Sequence, residues 1–196
     1  MKNSVVPLGL LILAAAIWRA VPAAYPVFSN IAPISALAFC AAASGHGRRW
    51  WAAPFAALFL SDVVLALAAP DSDAFAWTWR ESALRAGAML PALAIGSWSR
   101  RWPFGFAWLP GSLAASASFY LLSNTCSWWL DPFYAKSDAG WWQALTVGHP
   151  EYPPTWWFFR NTLLGDLGFT GLFWLVCRRE LPAPTKAEGQ ALPELR

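Results

Sequence analysis

The stretch PFGFAWLPGSLAASASFYLLS, residues 103–123, carries no charged side chain. An α-helix needs roughly 20 apolar residues to cross the hydrocarbon core of a bilayer, which is about 30 Å thick. Five other segments have a similar composition, and they lie at about residues 5–24, 31–44, 52–69, 82–98 and 156–177. The sequence therefore predicts an all-α integral membrane fold, a bundle of six transmembrane helices.

The composition of the whole chain favours the same class. Of its 196 residues, 57% are hydrophobic and only 13% are charged, whereas soluble domains average roughly 25% charged residues. Disordered and collagen-like classes are excluded. The net charge of +3 comes from basic residues in short pairs between apolar segments. That position is typical of cytoplasmic loops, so we predict no nucleic-acid partner.

Cysteine and histidine give no sign of a metal or a disulfide framework. Cys40, Cys126 and Cys177 lie in or beside apolar runs and show no CxxC spacing. His46 and His149 fall on opposite predicted faces of the membrane and cannot share a metal ion. We predict no metal site and no cofactor, while the cysteine pattern does not decide the redox compartment.

Basic residues predict the orientation of the bundle. The pairs Arg48–Arg49 and Arg100–Arg101 fall on the same side as both chain termini, and the opposite loops are mainly acidic. Because cytoplasmic loops are enriched in Lys and Arg, we expect both termini inside and a location in the cell inner membrane. Residues 1–179 form the membrane domain in this prediction, and residues 180–196 form a disordered cytoplasmic tail. The 124–155 connection, between helices five and six, becomes an outer loop.

A cleaved signal peptide is the alternative for the N-terminus. Lys2 precedes an apolar run, and Val21–Ala23 resembles a cleavage site. Arg19 lies between the apolar run and that site, which disfavours cleavage.

Two acidic residues, Asp62 and Asp166, fall near the middle of predicted spans. An ionised Asp at the centre of a membrane helix costs about 2.5 to 3.5 kcal/mol on insertion scales, so both should face the bundle interior. Arg19, Arg85 and Arg160 are the available cations, and we expect the partner of Asp166 to come from the first, third or fourth span. Such pairs either fix the helix arrangement or line a cavity that opens outward.

Tryptophan is concentrated at the predicted outer face. Eight of the 15 Trp residues lie there: Trp77, Trp79, Trp128, Trp129, Trp141, Trp142, Trp156 and Trp157. An aromatic belt at the headgroup level explains most of them. An aromatic lid, formed by the outer loop over an outward pocket, is a further hypothesis.

Several short fragments together resemble a known family. They are residues 30–39 (NIAPISALAF), Ser61–Asp62, residues 119–124 (FYLLSN), Trp128, Tyr134, Gly140, Pro154 and Gly165–Asp166. In this order they are similar to the uncharacterised bacterial membrane family labelled domain of unknown function 6580. Ile31, Ala32 and the alanines at 41–43 depart from its pattern. That family is remotely similar to the S components of energy-coupling-factor vitamin transporters.

The S-component resemblance implies a six-helix bundle with both ends inside and an outward pocket. It also implies a transmembrane coupling subunit with ATPases as partner, contacted through small residues such as Ala16 and Ala20 of the first helix. The chain itself has no phosphate-binding G-x-x-x-x-G-K-[ST] motif, so any use of ATP must come from that partner.

The function favoured by these observations is a substrate-binding membrane subunit of a small-molecule, vitamin-like transporter. The expected ligand-binding residues are Arg19, Asn30, Asp62, Asn124, Trp128, Tyr134, Arg160, Asn161 and Asp166. Charged and amide groups would hydrogen-bond the ligand, while Trp128 and Tyr134 would stack on it. The alternative is a structural or assembly subunit with no ligand. We expect no enzyme, because Ser61 and Asp62 are adjacent and do not face each other on a helix.

Overall fold

The computed structural model describes residues 13–14, 17–18, 34–45, 47–68 and 79–177. These residues form helices joined by turns, and no strand occurs among them. The all-helical prediction is therefore confirmed. Arg19, Asn30, most of the first predicted span and the predicted tail at 180–196 lie outside the described residues.

Between residues 34 and 177, the described ranges contain seven α-helices and one short 3-10 helix. The α-helices are α1 (Ile34–Ala43), α2 (Ala53–Ala68), α3 (Trp79–Ala88), α4 (Leu90–Ser99), α5 (Phe104–Leu130), α6 (Asp138–Leu145) and α7 (Thr155–Cys177). The 3-10 helix, Arg48–Ala52, joins α1 to α2. Nearer the N-terminus, the described residues 13, 14, 17 and 18 are also helical.

The predicted fourth span, residues 82–98, is wrong as a single continuous helix. The structure has α3 and α4 in its place, with the break at Met89. Pro91 lies in the first turn of α4, where the missing N–H of proline is tolerated. In a continuous helix the proline ring would clash with the carbonyl group four residues earlier, at Gly87. The two helices meet at Met89, whose backbone is close to helical (φ −82°, ψ −18°).

The predicted outer loop between helices five and six is also corrected, because much of it is helical. Helix α5 continues past Ser123 to Leu130, and α6 forms within the connection. Polar residues such as Asn124 end the apolar run without ending the helical hydrogen bonding. Helix α5 ends where Pro132 follows Asp131, which has an extended conformation (φ −83°, ψ 121°), as expected for a residue before proline.

Helix α1 lies at the centre of the bundle and packs against α4, α5 and α7. Ala38 and Phe39 are completely buried. Gly96 of α4 approaches so closely that an added Cβ atom would collide with the carbonyl oxygen of Phe39. The small residues of α1 and α4 thus allow direct backbone contact between these helices.

The outer surface of the helices carries many large apolar side chains. Examples on α5 and α7 are Phe106, Leu109, Leu113, Leu121, Leu122, Leu164, Leu172, Leu175 and Val176. Helix α5 has no charged residue over its 27 residues. Within the described part of the chain, no helix meets the combined requirement of length and mean hydropathy for a membrane span.

Candidate functional site

Asp166, near the middle of α7, is completely buried and accepts three hydrogen bonds. Ser35 of α1 and Ser116 of α5 both donate their hydroxyl groups to Oδ2, the latter at 2.6 Å. The backbone N–H of Ala36 donates to Oδ1 at 3.1 Å. One carboxyl group therefore joins three helices.

Two of these donors belong to the first turn of α1. The first backbone N–H groups of a helix have no partner within the helix, and here Asp166 of α7 accepts one of them. A carboxylate at this position also interacts favourably with the helix dipole. Asp166 thus acts as the N-terminal cap of α1, although it lies 130 residues from Ala36 in the sequence.

A second polar layer lies one turn further along α7. Thr170, which is completely buried, shares a hydrogen bond of 3.2 Å with the hydroxyl group of Ser112. The Cys40 thiol points to the same threonine, with Sγ at 3.9 Å from Oγ1. The thiol is a weak donor at that distance, so the hydroxyl pair contributes more.

The two layers define the relative directions of the helices. From Asp166 to Thr170 along α7, the α5 partner changes from Ser116 to Ser112. Helix α5 is therefore antiparallel to α7. Over the same turn the α1 partner advances in sequence, from the first turn of the helix to Cys40, so α1 and α7 are parallel.

Asp62 belongs to a different cluster, between α2 and α3. Its Oδ2 atom accepts a hydrogen bond of 2.6 Å from Ser82 and lies 3.4 Å from Nη2 of Arg85. The Asp62 side chain is buried, and the Arg85 side chain is about one-third exposed. Asp62 therefore has a cationic partner, Arg85, as its position predicted. This cluster is separate from that of Asp166.

Other predicted residues lie at one end of the bundle. This end, the α5–α6–α7 end, consists of the C-terminal end of α5, of α6 and of the start of α7. Asn124 donates a hydrogen bond of 2.8 Å to the carbonyl of Tyr120, one turn earlier in the same helix. The indole N–H of Trp128 donates to the carbonyl of Ala135 at 2.8 Å. The side chains of Asn124 and Trp128 thus stabilise the nearby backbone through these hydrogen bonds.

Tyr134 is buried at the same end, beside the ring of Phe133, at 5.2 Å between ring centroids. Burial is the main cause that raises the pKa of the Tyr134 phenol above its usual value, and the charge of Asp131 adds to it. The phenol is therefore a neutral group over the physiological pH range.

Arg160 and Asn161 lie in the second turn of α7. The Arg160 guanidinium group donates to Oδ1 of Asn161 at 3.3 Å and lies 5.4 Å from the ring centre of Trp157. Arg160 is exposed, and the stacking is a cation–π contact. Among the predicted residues that the structure describes, Arg160 is exposed, whereas Asn124, Trp128 and Asn161 are partly buried.

The structure does not bring the described predicted residues into one cavity. Asp62 and Asp166 have separate partners, and the other five lie at the α5–α6–α7 end. An apolar groove of about 250 Å³ runs along α7 between Leu164 and Leu172, and none of the seven predicted residues that the structure describes lines it. Among the described residues, no group of three or more His, Cys, Asp or Glu side chains could hold a metal ion.

The prediction for the partners of Asp166 was wrong. They come from the second and fifth predicted segments, and they are hydroxyl groups of Ser35 and Ser116 instead of an arginine. The i, i+4 spacing of Ser112 and Ser116 carried a signal for this, because such residues share one helix face. In the structure this one face of α5 provides the hydroxyl groups for both Asp166 and Thr170.

The fold and these buried polar layers define the class of the protein. It is an all-helical bundle in which two hydroxyl groups and one backbone N–H donate hydrogen bonds to a buried acid, Asp166. The sequence model of a family of unknown function, DUF6580, matches residues 1–182, so the chain belongs to that family. The resemblance drawn from the sequence fragments is confirmed at this level. Comparisons with curated proteins and with solved structures found no match.

Proposed function

We propose that the chain is a non-catalytic, membrane-embedded subunit that works through assembly with a partner protein in the cell inner membrane. The observation that carries this proposal is the complete enclosure of Asp166. All three of its hydrogen bonds come from the chain itself, so the acid in the middle of α7 is enclosed by the bundle and stabilises it.

The exposed surface supports embedding in a bilayer. Large apolar side chains such as Phe106 (82% exposed) and Leu164 (59% exposed) cover the outside of α5 and α7. Soluble monomers rarely expose such extensive apolar surface. Six transmembrane helices with both termini inside remain part of the proposal.

The distribution of charge supports the proposed orientation. Arg48–Arg49 follows α1, and Arg100–Arg101 lies between α4 and α5. The rings of Phe39 in α1 and Phe104 in α5 are 6.0 Å apart, so both arginine pairs belong to one end of the bundle. The opposite end carries three acidic residues, Asp131, Asp138 and Glu151, and two basic ones, Lys136 and Arg160. By the positive-inside rule, the arginine end faces the cytoplasm.

A second candidate is the substrate-binding subunit of a vitamin-like transporter, coupled to a transmembrane subunit with ATPases. The observation that favours it is the exposed Arg160, which lies beside Asn161 and Trp157 at the proposed outer end. A guanidinium group next to an aromatic ring suits a small anionic ligand with a flat apolar part.

Thermal unfolding of the purified protein in mild detergent separates the two candidates. A panel of water-soluble vitamins is added to the wild type and to Arg160→Ala. A ligand present at 100 times its Kd stabilises a binder by about 2.7 kcal/mol. An assembly subunit shows no shift with any compound. A saturable shift in the wild type that Arg160→Ala loses, while it keeps its fold, rejects the assembly proposal in favour of the carrier.

The assembly proposal also makes a positive prediction. Native electrophoresis of gently solubilised membranes should show the chain in a complex larger than itself, and the complex should contain a second, defined polypeptide. Migration of the chain as a lone protein under the mildest detergents contradicts this.

A further inference from the structure

Tryptophans at the α5–α6–α7 end form two sets that differ in their hydrogen bonds. In the first set, the indole N–H groups bond to the protein itself. Trp128 donates to the carbonyl of Ala135 at 2.8 Å, and Trp141 donates to Oγ1 of Thr125 at 2.9 Å. Both side chains are only partly exposed. This first set stabilises the end of the bundle.

The second set points outward. Its members are Trp129, Trp142, Trp156 and Trp157, which are 67%, 62%, 52% and 45% exposed. None of their indole N–H groups forms a hydrogen bond with any residue that the structure describes. Each therefore presents a large apolar ring and an unused donor to its surroundings.

We infer that the second set anchors this end of the protein in the headgroup layer of a phospholipid bilayer. The inference rests on the proposed function, since it requires a membrane-embedded chain. The headgroup layer offers an exposed indole both an apolar environment for its ring and hydrogen-bond acceptors for its N–H. Acyl chains beside it accept the apolar ring, and ester and phosphate oxygens accept the N–H.

The polypeptide that presents the second set is held firmly. The Tyr120 hydroxyl donates to the carbonyl of Leu145, which joins α5 to the end of α6. Nζ of Lys136 donates to the carbonyls of Trp128 and Asp131, at 2.5 and 2.6 Å. These hydrogen bonds fix the segment between Asp131 and Leu145 to α5, as is required if its side chains are to hold a constant position in a membrane.

The charges at this end, together with the exposed apolar side chains along α5 and α7, favour phospholipid as the molecule that covers the second set. The charged side chains at this end are mixed in sign: Asp131, Lys136, Asp138, Glu151 and Arg160. They suit zwitterionic phospholipids, whose headgroups carry both charges. Leu122 of α5 and Leu164 of α7 are exposed and lie seven residues from Trp129 and Trp157, so each shares a helix face with a tryptophan of the second set.

The test uses full-length protein labelled with 5-fluorotryptophan in phosphatidylcholine nanodiscs. Each 19F resonance is assigned by its Trp→Phe variant. Two relaxation agents are compared: a gadolinium chelate attached to lipid headgroups, and the same chelate free in water. We expect the lipid-borne agent to broaden the four resonances of the second set more than the soluble agent does.

Stronger broadening of the second set by the soluble chelate overturns the inference, because the surface then faces water and is free for a protein partner or a ligand. Extraction of the native membranes at alkaline pH reports on embedding separately. A chain that resists extraction but shows a water-facing second set refutes the anchor alone. A chain that is extracted refutes the membrane proposal as well.

Discussion

The carboxylate of Asp166 accepts the backbone N–H of Ala36 at 3.1 Å and so caps helix α1 from the middle of α7. Caps usually come from the residue just before a helix. Here the cap comes from a parallel neighbour, so the start of α1 and its packing against α7 depend on one side chain. The hydroxyl groups of Ser35 and Ser116 complete the arrangement.

Removal of the cap should destabilise the whole bundle. Asp166→Ala leaves two buried hydroxyl groups and one N–H without an acceptor, and each such group costs about 1–3 kcal/mol. We expect a loss of about 3 kcal/mol in the free energy of unfolding, measured in mild detergent. Asp166→Asn keeps one acceptor oxygen and should lose less. Equal stability of Asp166→Ala and the wild type would contradict the capping role.

Two serines on α5 offer a matched comparison. Ser116→Ala removes a hydrogen bond between helices and should cost about 1 kcal/mol. Ser118 bonds to the carbonyl of Ala114 within its own helix, so Ser118→Ala should change the free energy of unfolding by much less. Thermal unfolding of both variants checks the difference, and a larger loss in Ser118→Ala would reverse the assignment.

Two helical glycines should respond oppositely to substitution by alanine. At Gly96 the new methyl group collides with the carbonyl oxygen of Phe39, so α1 and α4 must separate at a cost of about 1–3 kcal/mol. At Gly168 no atom from elsewhere in the described part of the chain lies within 4 Å of the added Cβ, and the helix gains about 0.5–1 kcal/mol from the better helix former. Melting temperatures should therefore fall for Gly96→Ala and rise for Gly168→Ala. A fall in both would show that Gly168 is covered.

Asp62 and Arg85 should be energetically coupled, although weakly. A double-mutant cycle with Asp62→Asn and Arg85→Met measures the coupling directly. Because Arg85 is about one-third exposed and the N···O distance is 3.4 Å, we expect less than about 1 kcal/mol. The same cycle between Asp62→Asn and Arg160→Met is the control and should give none. A coupling to Arg160 as large as that to Arg85 would place Asp62 near the outer end.

Lys136 should hold the segment after α5 in place. Its ammonium group donates to two carbonyls at the end of α5, where a positive charge also suits the helix dipole. In Lys136→Met, amide hydrogen exchange at residues 133–137 should become faster, while α7 keeps its protection. Lys136→Arg retains the charge and should restore part of the protection. Unchanged exchange in Lys136→Met would show that the order of residues 133–137 does not depend on the hydrogen bonds from Lys136 to the carbonyls of Trp128 and Asp131.

Apolar runs and prolines were a good guide to the helices. The run at 103–123 predicted α5, and the run at 156–177 agrees closely with α7. The break at Met89 and the extension of α5 to Leu130 were missed, because apolar counting does not register where backbone hydrogen bonds continue or stop. Those events depend on the local geometry of single residues.

The sequence by itself determined that the chain is helical, which residues are apolar, and that Asp62 and Asp166 must be satisfied inside the bundle. Burying a carboxyl group without a partner is too costly for any fold of this chain. Only the tertiary structure decided the partners. Ser35 lies 131 residues from Asp166, and the spacing of Ser112 and Ser116 marks a polar face of α5 without indicating which helix that face meets. That choice follows from close packing at small residues such as Gly96, where one methyl group changes the distance between two helices.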